Sequence, residues 1–204
     1  MQHLFVPGFG ARAAIYAPGL PPPWRLLQPP PPFRSGGSLE RLTGWLLDEL
    51  PPGDVVLAGH SMGAALALLA AARRPVARLG LFAPAGLPLT KPVRASAADF
   101  VRQLADGTHR NRHTLRAAGE LLRGPRASAR LVRSLRRLDL TDAMRAVGAA
   151  GIPVTDTLVP PGLARSIGRL TGGDYRELEE PGGHVWMLRR RRVFAHELER
   201  LGVS

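Results

Sequence analysis

Cysteine is absent from the 204 residues of the chain. That excludes a disulfide framework, thiolate nucleophiles and cysteine-based metal sites. Lysine is almost absent too, Lys91 being the only one. Aromatic residues make up 5%, too few for the interleaved basic and aromatic surfaces that grip nucleic acid, so no nucleic-acid partner is expected. No apolar run approaches the roughly 18 residues of a membrane span, so no membrane span is expected. The opening "MQHLFVPGFG" has neither the basic start nor the long apolar stretch of a secretory signal, and a cytoplasmic location is the expectation. Histidines stand at positions 3, 60, 109, 113, 184 and 196. His109 and His113 fall four apart, but their arginine-rich surroundings disfavour a bound cation. Neither a metal nor a cofactor is expected.

What is present is 45% apolar and 22% charged, with a net charge of +12, the composition of one globular domain. Abundant Arg, Ala, Pro, Leu and Gly with scarce Lys, Asn and Ile carries the stamp of GC-rich coding. The charge is nevertheless uneven. Residues 87–150 hold 12 arginines and Lys91 against 5 acids, about +8 of the +12.

Apolar runs at "HLFV" (3–6), "WRLLQ" (24–28), "DVVLAG" (54–59) and "ARLGLFAPAG" (77–86) predict strands. Helical periodicity predicts helices at "SLERLTGWLLDELP", with Ser38 as N-cap, and from Met62 to Arg74. The prolines at 21–23 and 29–32 read as loop. Strands alternating with helices, and lacking polar alternation, predict a mostly parallel sheet of about six strands flanked by helices. From 87 to 150 only helical patterns occur ("AADFVRQLAD", "RHTLRAAGELLRG", "ARLVRSLRRLDL", "TDAMRAVGAAG"). These predict an all-helical lid inserted between core segments 1–86 and 151–204. The alternation then resumes with a strand at "IPVTDTLVPP", a helix at "GLARSIGRL", a strand at "YRELEE" and a last helix at "VWMLRRRRVFAHELERL".

Within this frame, Gly59-His60-Ser61-Met62-Gly63 lies where a buried strand runs into a helix. A serine on such a turn is lifted clear of the sheet, with the Met62 N–H and a helix N-terminus beside it. The alternative is a helix cap with no chemistry. A serine hydroxyl needs a base, and His184 in "EEPGGHVWML" follows the last candidate strand and falls at the same end of the sheet. His60 competes but adjoins Ser61. An acid would orient the base; Asp156 in "PVTDTLVPP" lies just beyond a strand and before His184, with Asp174 and Asp142 as alternatives. The "PGFG" loop (7–10) offers the Phe9 N–H, which with that of Met62 would make an oxyanion hole.

These motifs together resemble the α/β-hydrolase superfamily over nearly the whole chain. "VPGFGA" resembles its His-Gly-x-Gly loop with Pro7 in place of the histidine. "GHSMGA" is similar to the elbow of lipases, esterases and type II thioesterases. "DTLVPP" resembles the acid loop and "GGHVWML" the histidine loop. Two departures stand out: "QPPPPFRSGG" replaces the usual stretch after the second strand, and Pro153 sits where the acid loop usually has glycine. The sheet also begins at the family's third strand. The resemblance implies a shortened α/β-hydrolase fold and cleavage of a carboxylic ester through an acyl-enzyme. The roles implied are Ser61 as nucleophile, His184 as base, Asp156 as acid, and Phe9 and Met62 as oxyanion donors. A small-molecule acyl substrate is the expected partner. Action on acyl-CoA or acyl-carrier thioesters, or ligand binding without catalysis, remain alternatives.

Overall fold

A computed structural model describes residues 1–87, 119, 121–147, 152–154, 161–173, 175–177, 184 and 186–203. The first half follows the expected alternation. Strand β1 (Gln2–Val6) leads to a short helix α1 (Ala13–Tyr16), strand β2 (Arg25–Leu26) and helices α2 (Pro32–Ser35) and α3 (Leu39–Glu49). Strand β3 (Val55–His60), helix α4 (Met62–Arg73) and strand β4 (Arg78–Phe82) follow. These four strands form one parallel sheet in the order β2-β1-β3-β4.

Local chemistry explains the boundaries. The Ser38 hydroxyl caps α3, accepting from the Arg41 N–H at 3.3 Å, one of the donors that a helix start leaves without a partner. Strand β2 covers only two residues of the stretch 24–28. Prolines close on either side cannot donate to a ladder, and β2 is an edge strand. The proline stretch was expected to be loop throughout, but Pro32 opens α2. Proline suits the first helical position, where its missing N–H would have had no acceptor.

Of the four helical patterns at 87–150, the first lies outside the described residues. The second is helical at 121–123. The third forms α5 (Pro125–Arg137) and the fourth α6 (Thr141–Val147). Leu131, Leu140 and Met144 of this segment join the same buried cluster as the leucines and alanines of α3 and α4. The described part of this segment therefore packs its buried residues into the core. Its fit against the proline-rich segment is close: a Cβ on Gly37 would lie 2.2 Å from the Ala127 carbonyl oxygen, and one on Gly124 2.6 Å from the Phe33 Cβ.

Strands β5 (Ile152–Val154) and β6 (Tyr175–Glu177) flank helix α7 (Pro161–Thr171) and pair with each other in parallel. With the four-stranded sheet they make six strands among the described residues, and β5 lies beside β4. The expected single last helix divides at Arg190 into α8 (Trp186–Arg189) and α9 (Arg191–Val203). The i→i−4 bonds Arg190 N–H to Trp186 O and Phe194 N–H to Arg190 O carry the backbone through that break. Among the described residues no helix is long and apolar enough to cross a membrane.

Candidate active site

Strand β3 is buried along its whole length and delivers His60 and then Ser61 to the carboxyl edge of the sheet. Parallel sheets bind ligands at this edge. Ser61 has φ 55° and ψ −114°, a conformation costing a non-glycine residue about 1–3 kcal/mol. The surroundings hold it there. Ser61 N–H donates to Phe82 O at 2.9 Å, and Ser61 O accepts from Ala65 N–H at 3.1 Å and Ala85 N–H at 3.2 Å. The flanking glycines are steric necessities. A Cβ on Gly59 would stand 2.3 Å from Gly63 O, and a Cβ on Gly63 2.1 Å from Val6 O. The turn is tight because α4 starts directly over β1 and β3.

The Ser61 hydroxyl does not cap α4. It meets the Nε2 of His184 at 2.9 Å, across 123 residues of chain. His184 is itself buried, at 7% exposure. The two residues read from the sequence as nucleophile and base thus stand within hydrogen-bond reach, a geometry suited to proton transfer from hydroxyl to imidazole.

The loop after β1 lies alongside. Gly8, Phe9, Pro30, Met62, Leu121 and Leu131 line one cleft. Phe9 and Met62, the expected oxyanion donors, therefore border the same space. Met62 is the first residue of α4, where helix N–H groups lack intrahelical acceptors. Among the described residues neither N–H donates to a loop or cap carbonyl.

The acid is another matter. Asp156 and the alternative Asp174 lie outside the described residues, as do His109 and His113. Asp142, the remaining alternative, is exposed on α6 and pairs with Arg145 at 3.4 Å. Among the described residues no group of His, Asp and Glu could hold a metal ion.

Two features escaped the sequence reading. One is the cleft wall formed by Pro29–Pro32; its signal was a proline run just past the carboxyl end of a strand. The other is the environment of His60, read only as a failed competitor for the role of base. It is buried, its Nδ1 lies 2.8 Å from the Tyr16 hydroxyl, and its Nε2 lies 2.8 Å from the backbone oxygen of His184. Burial holds its pKa well below the usual histidine range, and charge on neighbouring His184 pushes the same way. A polar residue ending an otherwise apolar strand was the available signal.

Comparisons agree with this architecture. The chain superposes on a lipase-esterase related protein from Clostridium acetobutylicum ATCC 824 with a TM-score of 0.76 at 14% identity, covering 98% of this chain and 93% of that one. The enol-lactonase from Burkholderia xenovorans LB400 gives 0.71 at 18% identity, over 100% and 92%. The type II thioesterase BorB from the borrelidin biosynthetic cluster gives 0.69 at 22%, over 98% and 91%. No curated protein sequence matches significantly. At these identities the superpositions speak to fold alone. The family model described as "Alpha/beta hydrolase family" matches residues 4–197, and the chain accordingly belongs to the α/β-hydrolase family.

Proposed function

We propose that the protein is a serine hydrolase that cleaves a carboxylic ester through an acyl-enzyme. The observation that carries this is the 2.9 Å contact between Ser61 Oγ and His184 Nε2, with the serine held at positive φ on the turn between β3 and α4. Ser61 Oγ attacks the ester carbonyl carbon while His184 Nε2 takes the hydroxyl proton. The N–H groups of Phe9 and Met62 hold the oxyanion. Collapse expels the alcohol, which leaves with the proton from His184. Water then adds to the acyl carbon, again giving its proton to His184, and the second collapse releases the acid and restores Ser61. Asp156 is the proposed partner that orients His184.

Ser61→Ala tests this. Hydrolysis of short p-nitrophenyl esters is expected to fall about ten-thousand-fold or more in kcat, and a fluorophosphonate probe should label wild type but not the variant. Equal rates for the two proteins would end the proposal.

One observation favours a thioester substrate as a second reading. Arg126, Arg130, Arg133 and Arg137 are exposed on α5 at spacings that put them on one helix face. Such a stripe would draw the phosphates of an acyl-CoA. If so, the preference for acyl-CoA over a neutral ester is large at low salt and shrinks as salt rises. A salt-independent ratio argues for the plain ester.

A further inference from the structure

One chain of hydrogen bonds ties the segment that ends in Ser61 to His184. Its first member is the buried hydroxyl of Tyr16, on α1. That hydroxyl meets His60 Nδ1, and His60 Nε2 meets the backbone oxygen of His184, both at 2.8 Å. The proton positions follow by elimination. A carbonyl oxygen only accepts, so His60 Nε2 must carry a hydrogen and donate it. A neutral imidazole protonated on Nε2 has only Nδ1 left to accept, so the Tyr16 hydroxyl donates to it. With His60 neutral, every donor and acceptor in the chain is matched. A second proton on His60 would leave the Tyr16 hydrogen without an acceptor and bury a charge. Gly8 makes room for the ring, since a Cβ there would lie 2.9 Å from His60 Nδ1.

His60 adjoins Ser61 in the chain, and its imidazole holds the backbone of His184. The rings of His60 and His184 also pack at 4.6 Å between centroids. One side chain thereby fixes the distance between the nucleophile and its base. We infer that His60, locked by Tyr16, is the positioning residue that sets the serine–histidine geometry. It neither touches substrate nor accepts the Ser61 proton. In its kinetic consequence the inference rests on the serine-hydrolase reading; in its hydrogen-bond pattern it does not.

The test therefore has two arms. In protein labelled with ¹⁵N-histidine, NMR should find His60 neutral, with its proton on Nε2, from pH 7 down to 5. This holds whether or not any ester is turned over. A proton on Nδ1, or ordinary histidine titration, overturns the inference. In the kinetic arm, His60→Phe removes the donor to His184. It is expected to lower kcat about ten- to a hundred-fold, with KM changed less than about two-fold, and to slow fluorophosphonate labelling of Ser61 in parallel. His60→Gln keeps an amide N–H for the His184 carbonyl and should return to within about five-fold of wild type. Equal losses in the two variants would mean that His60 only fills space, and would overturn the inference.

Should His60→Phe fail to fold, Tyr16→Phe takes its place. It unlocks Nδ1 and should cost about ten-fold in kcat with KM nearly unchanged; a wild-type rate there also refutes the chain. Failure of the hydrolase reading looks different. Ser61→Ala would then match wild type while the His60 resonance still reports a neutral Nε2–H ring.

Discussion

On one face of the sheet Leu4, Val6, Val55, Leu57, Leu79 and Leu81 pack against the leucines and alanines of α3 and α4. On the other face Phe5, Val56, Ala58 and Phe82 meet Tyr16, Trp24, Trp186 and Phe194. The strands make this division by alternation, because successive side chains point to opposite faces. The aliphatic face is smooth and close-packed, and it brings α4 down until Gly59 and Gly63 touch backbone. The aromatic face is built from tilted and edge-on rings, with Phe194 at 5.2 Å from Phe5 and 5.5 Å from Phe82 between centroids. It leaves room for the polar pair Tyr16 and His60. Ser61 is thus set by backbone sterics from one side, and His184 is held by ring packing and hydrogen bonds from the other.

The sharpest way to break the comparison is Gly63→Val. Its Cβ would stand 2.1 Å from Val6 O and 2.5 Å from Pro7 O, both backbone atoms that no rotamer change can clear. A loss of stability of about 4 kcal/mol or more is expected, at the severe end for single substitutions. Urea unfolding or loss of soluble expression reads it out. A stable Gly63→Val protein would mean that the elbow is looser than these contacts allow.

Next in size is a matched pair, Leu66→Ala on the aliphatic face and Phe194→Ala on the aromatic one. Both residues are buried, at 0% and 1% exposure, and both truncations are expected to cost about 3–5 kcal/mol. Their effects on turnover should differ. Phe194 packs on Tyr16 and Trp186 at 6.4 and 6.1 Å, so its loss loosens the neighbours of the histidine loop and lowers kcat. Leu66→Ala should leave kcat of the folded fraction near wild type. Equal falls in kcat would erase the functional distinction between the faces.

The aliphatic side was the more legible from sequence. Val55 to Gly59, the small residues around Ser61 and the Ser38 cap are local patterns, and each fixes its structure within a few residues of chain. The pairing of Ser61 with His184, 2.9 Å apart, was legible because each sits in a short motif at a strand end. Tyr16 and His60 were not found, because their meaning comes from a contact across 44 residues and another across 124. Nothing in "RAAIYAPG" announces that a tyrosine hydroxyl will be buried under the neighbouring loop. The aromatic residues that build this face are dispersed at positions 5, 16, 24, 82, 186 and 194, with no period to reveal them. The division of the last helix at Arg190 was missed although Arg189 to Arg192 interrupt the apolar pattern there, because arginine is a good helix former and marks no stop.

The smallest expected effect isolates the aromatic side's polar pair through pH. Above the ordinary histidine pKa of 6.5, residue 60 is neutral in both folded and unfolded chains and contributes no pH dependence. Below it, the unfolded chain takes up a proton that folded His60, desolvated and facing His184 and Tyr16, does not. The unfolded state then binds more protons, and stability falls with falling pH until the folded pKa is reached. One such group contributes at most about 1.4 kcal/mol per pH unit. Urea unfolding at pH 7, 6 and 5 should therefore show a shallower acid slope for His60→Gln than for wild type, because glutamine has no proton to gain. Leu66→Ala, which alters only the aliphatic face, should keep the wild-type slope at lower overall stability. Identical slopes for wild type and His60→Gln would mean that residue 60 takes up its proton when folded, and that the aromatic face tolerates a charge its packing argues against.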